Sequence, residues 1–173
     1  MAGEFRSRRL KTLPGFDVRP TPDRLREALF NVLAPRIEGS IFADAYAGTG
    51  AVGIEALSRG AARVIFIEQN PSAVRVIRGN LEALGTEGRA EVIRGRAAAV
   101  IARLDAGIVF LDPPYRMERE YETALAALGK APPPQVIVQH HVKHAPADRF
   151  GRLIRTRLLR QGENALSFYT AVE

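Results

Sequence analysis

The stretch DAYAGTGAVG, residues 44–53, decides the fold, because it joins a short apolar run to a helical pattern through a glycine-rich turn. Its second half, GTGAVG, fits the G-x-G-x-x-G spacing of dinucleotide-binding loops, and an acid, Glu68, follows Gly48 at the separation of about 20 residues that is usual in those loops. Its first half places Asp44 at the end of the apolar run, ahead of the first glycine. The two halves favour different cofactors, so the choice between them depends on charge.

Asp44 makes a dinucleotide the weaker interpretation. A dinucleotide sets its pyrophosphate against the helix N-terminus, where a neighbouring carboxylate repels it. No Lys or Arg lies between residues 44 and 58 to compensate. S-adenosylmethionine carries an ammonium and a sulfonium group and no phosphate, so the same carboxylate attracts it. Glu68 can accept hydrogen bonds from the ribose of either cofactor. We therefore predict S-adenosylmethionine, with a purely structural glycine turn as the alternative.

The sequence beyond the loop alternates apolar runs with helical patterns. The runs are rich in Val, Ile and Phe, as is typical of strands buried on both faces. They occupy residues 41–45, 63–68, 90–95, 107–112 and 135–140. One helical pattern between them is well delimited, with Asn70 as its cap, Pro71 at its first position and Gly85 at its end. We predict an α/β fold with a mostly parallel sheet, right-handed crossovers and helices on both faces.

The two ends of the chain depart from this alternation. Residues 21–33 predict an amphipathic helix before the first strand, with Thr21 as its cap and Pro22 at its first position. After residue 145, the runs 152–160 and 164–172 flank a short turn, which predicts an antiparallel hairpin. A parallel sheet that ends in such a hairpin is usual in S-adenosylmethionine-dependent methyltransferases and unusual in nicotinamide enzymes.

A second motif, FLDPPY at residues 110–115, follows the fourth run, at the edge of the sheet where ligands bind in such folds. Asp112 can accept a hydrogen bond from an exocyclic amine. Pro113 and Pro114 lack N–H groups and fix the backbone, which lets carbonyl oxygens face the same amine. Tyr115 offers a flat face on which a base can stack. The motif predicts methyl transfer to an aromatic amine without a metal; the alternative is a proline-rich turn beside a core tyrosine.

Composition limits the class of protein. The 173 residues suffice for one domain, contain no cysteine and carry a net charge of +6. The sequence has neither a long apolar run nor a secretory signal, so we expect a cytoplasmic protein without a membrane span. His140, His141 and His144 are expected to lie in a solvated turn rather than at a metal.

The basic charge favours a nucleic-acid partner. A group of arginines near the C-terminus has the alternate spacing of a solvated strand face, which we favour slightly over a binding surface: Arg149, Arg152, Arg155, Arg157 and Arg160.

Four segments carry a resemblance to a known family: RPTPDRLREALFNVL (19–33), DAYAGTGAVGIEALSRGA (44–61), FLDPPY (110–115) and ALSFY (165–169). They are similar to the bacterial methyltransferases that modify a guanine N2 in small-subunit (16S) ribosomal RNA. The resemblance covers nearly the whole chain. It implies a class I methyltransferase fold with a seven-stranded sheet, S-adenosylmethionine as donor, and the small ribosomal subunit or an assembly intermediate as substrate. We expect a monomer that needs no metal and no membrane.

The expected site residues form three groups. Those for the target base are Asp112, Pro113, Pro114 and Tyr115. Those for the cofactor are Asp44, Tyr46, Gly48, Thr49, Gly50, Glu68, Gln69, Arg96, Ala97 and Asp112. Those for RNA are Arg6, Arg8, Arg9, Lys11, Arg19, Thr21 and Arg24.

The chain departs from the family pattern in two places. The family has an acid after the third strand, close to the adenine amino group, where this chain has Arg96, so we expect a backbone N–H to serve there instead. The family also has a few strand residues before AGEF, and in this chain, which starts at Met1, that strand is expected to be clipped or absent. We divide the chain into a basic arm, residues 1–20, and one methyltransferase domain, residues 21–173.

Three other functions stay open at this point. An adenine-N6 methyltransferase of DNA or RNA is the nearest, because Asp-Pro-Pro-Tyr suits any exocyclic amine. A non-catalytic RNA-binding protein with a degenerate methyltransferase fold is the second, because Arg96 replaces an acid of the cofactor site. A nicotinamide-dependent oxidoreductase is the least supported.

Overall fold

The computed structural model describes residues 1–14 and 21–173, with the exception of the Tyr115 and Glu118 side chains. The helices are α1 (Asp23–Ile37), α2 (Ala51–Ser58), α3 (Pro71–Leu84), α4 (Ala97–Val100) and α5 (Glu118–Lys130). The strands are β1 (Ile41–Ala45), β2 (Arg63–Glu68), β3 (Ala90–Arg94), β4 (Ile108–Leu111), β5 (Gln135–His141), β6 (Arg149–Phe150), β7 (Leu153–Gln161) and β8 (Asn164–Ala171). In the described residues, no helix is long and apolar enough to span a membrane.

The strands form one mixed sheet in the order β3-β2-β1-β4-β5-β8-β7-β6. β1 to β5 pair in parallel, whereas β8 is antiparallel to both β5 and β7. The predicted fold is therefore confirmed, including the C-terminal hairpin. The structure adds one element to the seven predicted strands, the two-residue β6, which pairs only with Leu153 and Ile154 at the edge of the sheet.

Two apolar layers cover the sheet, one on each face, as expected for strands whose side chains alternate between faces. On the first face, Phe42 and Phe110 are fully buried against α1, α2 and α3. On the second face, Val109 packs with α4 and α5, which contribute Ala97 and Leu125. Helices on both faces leave only the ends of the strands accessible, and this directs ligands to the sheet edges.

Local signals define α3 as the sequence predicts. The Asn70 side chain accepts hydrogen bonds from the N–H groups of Ser72 and Ala73, Pro71 takes the first helical position, and Gly85 ends the helix with a left-handed φ of 66°. The prediction for α1 is wrong in one respect. Its cap residue is Pro22, and no side chain caps it, because the Thr21 hydroxyl turns away from the helix toward Gln139 and Asp112.

The first residues of the chain pack against α2 and α3. Phe5 is buried in the core of the first face, and its N–H donates to the Ser58 hydroxyl. The buried Asn80 side chain holds the Lys11 backbone, accepting from its N–H at 2.8 Å and donating to its carbonyl at 3.1 Å. The described part of the predicted arm thus has a defined course along the first face of the domain.

Candidate cofactor and target-base site

The register of the parallel strands brings three carboxylates to one edge of the sheet. Asp44 pairs with Phe110 in β4. Glu68 is the last residue of β2, and Asp112 directly follows β4. The negative charges of Asp112 and Glu68 both raise the pKa of Asp44, which places the three groups in one electrostatic site. The sequence prediction that these acids share the carboxyl edge agrees with this geometry.

Asp44 is bonded to the start of the helix that follows the glycine loop. It is 2% exposed, and its Oδ2 accepts a hydrogen bond of 2.9 Å from the Gly53 N–H in the first turn of α2. Gly53 lies so close to β2 that a Cβ atom there would be 2.3 Å from Cε1 of Phe66. Because Gly53 has no Cβ, α2 can approach the sheet closely. This approach brings the N-terminus of α2 within reach of Asp44.

Burial of Asp44 makes its ionisation costly. The pKa of this carboxyl is raised to about 8, mainly by loss of hydration and also by the charges of Asp112 and Glu68, against a lowering by the Gly53 N–H. A buried carboxylate of this kind is stabilised when a cation lies beside it. The ammonium and sulfonium groups of S-adenosylmethionine are such cations, so the residues present fit this cofactor.

Glu68 fixes the other side of the glycine loop. Its Oε2 accepts from the Gly48 N–H at 2.7 Å, and its Oε1 accepts from the Asn70 N–H at 2.9 Å. Gly48 and Gly50 have left-handed φ values of 58° and 88°, which glycine adopts without steric cost. Each carboxylate oxygen can accept a second hydrogen bond, so Glu68 can hold the loop and still accept one from a ribose hydroxyl.

Tyr46, Arg96 and Glu120 form a cluster that the sequence analysis missed in part. The Tyr46 hydroxyl donates to Glu120 Oε2 at 3.0 Å, and Arg96 Nη2 lies 3.2 Å from Glu120 Oε1. Burial and the neighbouring Glu120 carboxylate raise the pKa of Tyr46. Tyr46 has a φ of 65°, rare for a residue with a side chain, so the backbone is strained where this hydroxyl is positioned. Glu120, in α5, thereby connects the segment after β1 with the segment after β3.

The remaining predicted cofactor residues lie around the same loop. The Thr49 carbonyl accepts from the Asn80 side chain at 3.4 Å, which ties the loop to α3. Gln69 is exposed beyond the end of β2. Ala97 begins α4 and is buried, and Arg96 is the residue before it. Asn80 is a second residue that sequence reasoning missed, because its partners are 31 and 69 residues away along the chain.

Asp112 directly follows β4 and lies beside Thr21. Thr21 Oγ1 is 3.5 Å from Asp112 Oδ2 and 3.2 Å from Gln139 Oε1, and Thr21 and Gln139 are both buried. Loss of hydration raises the pKa of Asp112 to about 7, while the Thr21 hydroxyl lowers it in part. Thr21, predicted as an RNA contact, is thus placed against the catalytic candidate, and Gln139 joins it as a further residue that the sequence did not indicate.

The backbone after Asp112 makes a short turn. Pro113 is buried and Pro114 exposed. The Pro114 carbonyl accepts from the Met117 N–H at 2.8 Å, within a short 3-10 helix over Tyr115–Met117. This carbonyl is used inside the turn, so Pro113 is the better candidate of the two to face an amine. The Tyr115 side chain lies outside the described residues, and its stacking role stays a prediction.

The described residues that we predict to contact RNA lie in the N-terminal segment and at the start of α1. Arg6, Arg8, Arg9, Lys11 and Arg24 are exposed. The Arg8 side chain donates to the Ala83 carbonyl at 2.9 Å, next to the end of α3. Arg19 lies outside the described residues. The Asn80 side chain donates to the carbonyls of both Lys11 and Thr49, so the described arm reaches the glycine loop.

The expectation of a solvated turn at the histidines is wrong for His140. His140 lies within β5, is 1% exposed, and its two ring nitrogens lie 2.8 Å from the His141 carbonyl and 2.8 Å from the Ser167 hydroxyl. Burial lowers the pKa of this imidazole. β5 extends one residue beyond the predicted run 135–140, because His141 still pairs with Asn164 of β8.

The sheet order and the antiparallel β8 are those of the class I, Rossmann-like methyltransferase fold. Residues 1–170 match the family described as Conserved hypothetical protein 95, and the chain belongs to that family.

Two relatives and two solved structures agree with this placement. The Bacillus subtilis (strain 168) protein YlbH, provisionally named an rRNA methyltransferase, is 30% identical over 178 residues, which cover 98% of this chain and 96% of YlbH. Ribosomal RNA small subunit methyltransferase D of Escherichia coli (strain K12) is 41% identical over 118 residues, which cover 67% of this chain and 59% of that protein.

The solved structure of yhhF from Escherichia coli, provisionally described as a methyltransferase, matches with a TM-score of 0.85 at 30% identity over 98% of this chain and 95% of that one. An RNA methyltransferase from Salinibacter ruber, solved with S-adenosyl-L-homocysteine, has a TM-score of 0.70 at 20% identity over 90% of this chain and 95% of that one, and this shows the fold alone. The family resemblance predicted from the sequence is confirmed.

Proposed function

We propose that this protein transfers a methyl group from S-adenosylmethionine to the exocyclic N2 of a guanine in 16S ribosomal RNA. The observation that carries the proposal is the convergence of Asp44, Glu68 and Asp112 at one sheet edge, with Asp112 beside a Pro-Pro turn. The relatives named for small-subunit rRNA methylation support the substrate. We propose further that the substrate is the small subunit or an assembly intermediate and that the protein acts as a cytoplasmic monomer.

The residues of the glycine loop would hold the cofactor. Asp44 and the turn at Gly48 and Gly50 face its charged end, and Glu68 faces its ribose. Arg96, Ala97 and Tyr46 lie where the adenine side of the cofactor is expected. S-adenosylmethionine supplies a methyl group on a sulfonium sulfur, which a well-aligned amine nitrogen can displace without a metal.

Asp112 would act on the target amine. An amine on an aromatic base is a weak nucleophile, because its lone pair is delocalised into the ring. A carboxylate that accepts an N–H hydrogen bond returns electron density to the nitrogen and orients it. The Pro113 carbonyl can accept from the second N–H. With a pKa near 7, Asp112 can also take up the proton that the nitrogen loses after methylation.

The target nucleotide must leave its stack to reach this site, because the catalytic turn lies among the loops at the sheet edge. We propose that residues 1–20 act as a basic arm on the domain formed by residues 21–173. Within it, Arg6, Arg9 and Lys11 would contact phosphates of the RNA, and Arg24 would do so at the start of α1.

Nucleoside analysis tests the proposal directly. Small subunits that lack the modification are incubated with the protein and labelled S-adenosylmethionine, and the methylated nucleoside is identified by mass spectrometry. N2-methylguanosine is the expected product. N6-methyladenosine, on RNA or DNA, would indicate the alternative enzyme with the same motif. Absence of transfer together with RNA binding but no S-adenosylhomocysteine binding would indicate a non-catalytic RNA-binding protein.

The rate of methyl transfer is expected to rise with pH. Asp112 must be ionised to accept the amine hydrogen bond, and burial raises its pKa to about 7. Below this pH the protonated fraction dominates, so the single-turnover rate should increase about tenfold per pH unit and level off above pH 7. Single-turnover assays from pH 5.5 to 8.5 measure this profile. A flat profile in the wild-type protein would contradict a role for the Asp112 carboxylate.

Replacement of Glu120 by glutamine is expected to weaken cofactor binding about tenfold with a smaller effect on the maximal rate. The amide removes the charge that holds Arg96 and weakens the acceptor for the Tyr46 hydroxyl, so the strained loop loses support. Calorimetry with S-adenosylhomocysteine gives the affinity. Glu122→Gln, an exposed residue of the same helix, is the control. Equal affinities of the two variants would remove Glu120 from the cofactor site.

A further inference from the structure

The carboxyl edge of the sheet continues past the proposed active site to β7. Leu111 pairs with Val138, Val138 with Ser167, and Ser167 with Leu158, so these positions lie side by side across four strands. Strands are spaced about 4.8 Å apart, so Leu158 in β7 lies about 14 Å from Leu111, the residue before Asp112.

Three cations lie at this end of the sheet. Lys143 is in the turn after β5, and Arg157 and Arg160 are in β7; all three side chains are exposed. In the described parts of the chain, none of these three side chains has an assigned hydrogen bond or ion pair, whereas the neighbouring Arg155 is paired with Asp148. β7 itself, LIRTRLLRQ, contains no acid. We name Lys143, Arg157 and Arg160 the β7 strip.

The strip borders an open strand edge. β6 pairs only with Leu153 and Ile154, so among the described residues the outer edge of β7 has no partner strand beyond Ile154. Arg157 pairs with Phe168, and Arg160 pairs with Ala165, which lie on opposite faces of β8. The two guanidinium groups therefore flank the open edge from both sides. Unpaired backbone N–H groups on such an edge can donate to phosphate oxygens as well.

From this arrangement we infer that the β7 strip binds the phosphates of the RNA nucleotides that flank the target base. The inference rests on the proposed function, because it assumes that the base at Asp112 belongs to RNA. The ligand is a single-stranded segment: an extruded target requires unstacked neighbours, and a flexible strand can follow the sheet edge from β4 to β7. Charge supplies affinity here and no sequence selectivity.

Arginine on an edge strand also has a purely protective explanation, because charged side chains discourage pairing between edges of different molecules. The two explanations differ in what they predict. Protection predicts that neutral variants aggregate more readily and bind RNA as before. Phosphate contact predicts weaker RNA binding with a reduced salt dependence, at concentrations where the protein stays monodisperse.

The test compares two charge-matched double variants. R157Q/R160Q removes two cations from the β7 strip. R103Q/K130Q removes two exposed cations that precede β4 and β5, at the opposite edge of the sheet. Binding to small subunits that lack the modification is measured between 50 and 300 mM KCl, together with KM and kcat for methyl transfer. Thermal melting and S-adenosylhomocysteine affinity establish that each variant is folded.

The plot of log K against log salt has a negative slope. R157Q/R160Q is expected to make this slope shallower by about 1.4, since each lost contact to a single strand contributes about 0.7. KM should rise about tenfold, with kcat at saturating RNA unchanged. R157K/R160K, which keeps the charge, should retain the wild-type slope. K143Q, located in a turn, should lower the slope by about 0.7, and it tests the strip even where changes in β7 impair folding.

The outcomes separate the two hypotheses. Slopes of R157Q/R160Q and K143Q that equal those of R103Q/K130Q would overturn the β7 strip, while methyl transfer by the wild-type protein still supports the proposed function. If the wild-type protein transfers no methyl group to small subunits, the proposed function itself fails, and the inference that rests on it fails with it.

Discussion

Replacement of Asp112 by asparagine is expected to lower the rate of methyl transfer by about 10³-fold while cofactor affinity stays within about threefold of the wild type. Asparagine keeps the shape of the side chain and the contact to Thr21. It cannot carry the negative charge that raises electron density on the target nitrogen, and it cannot accept the departing proton. Removal of one preorganised electrostatic contact of this kind costs about 10² to 10³ in rate, and loss of the proton acceptor adds to it.

Single-turnover methylation of unmodified small subunits measures the rate, and calorimetry with S-adenosylhomocysteine measures the affinity. Asp105→Asn is the matched control, because Asp105 is exposed and precedes β4 at the opposite edge of the sheet. The residual activity of the Asp112 variant should no longer depend on pH around 7. A rate within threefold of the wild type would remove Asp112 from the mechanism.

The sequence predicts the three carboxylates of the site because of a simple geometric fact. Parallel strands have their carboxyl ends at one edge, so an acid at the end of each apolar run is brought to the same place however far apart the runs are in sequence. Asp44, Glu68 and Asp112 are found in this way. The boundaries of β1 and β2 follow from their apolar runs, since strands buried on both faces are nearly continuous in apolar residues.

Residues that reach the site from outside these strand ends were missed. Glu120 comes from α5 and Gln139 from within β5, and neither has a sequence signal that separates it from an ordinary helix or strand residue. Thr21 has the local signature of a helix cap, and the cap was predicted. In the folded chain its hydroxyl has the partners Gln139 and Asp112, which are 118 and 91 residues away. Such tertiary contacts override local propensity and cannot be read from a single sequence.

Because Asp44 is buried at the sheet edge, its negative charge destabilises the folded protein when no cofactor is bound. The carboxyl is buried, so its pKa is about 8 in the folded chain against 3.8 for an ordinary aspartate. Between these values the folded protein binds a proton that the unfolded chain has released. The contribution of Asp44 to the free energy of unfolding therefore falls as pH rises from about 4 to about 8. A bound cation reverses this effect, because it favours the ionised form.

Replacement of Asp44 by asparagine is accordingly expected to stabilise the folded protein and to weaken its binding of S-adenosylmethionine. The amide oxygen can still accept from the Gly53 N–H, and the side chain stays neutral at every pH. We expect the gain in the free energy of unfolding to be roughly 4 kcal/mol larger at pH 8 than at pH 5, where the wild-type carboxyl is already protonated. Affinity for S-adenosylmethionine should fall about 100-fold, because the ammonium and sulfonium groups lose their counter-charge.

Denaturant unfolding at pH 5 and pH 8, with and without saturating S-adenosylmethionine, measures both effects, and Asp105→Asn again serves as the control. The cofactor should stabilise the wild-type protein more than the variant, and increasingly so as pH rises. A variant that gains stability at pH 8 and binds the cofactor as tightly as the wild type would show that Asp44 only supports the glycine loop. A variant that loses both stability and binding at either pH would show that the Gly53 hydrogen bond requires the carboxylate. The expected opposite signs of the two effects distinguish a carboxylate kept for a cationic ligand from one kept for the fold.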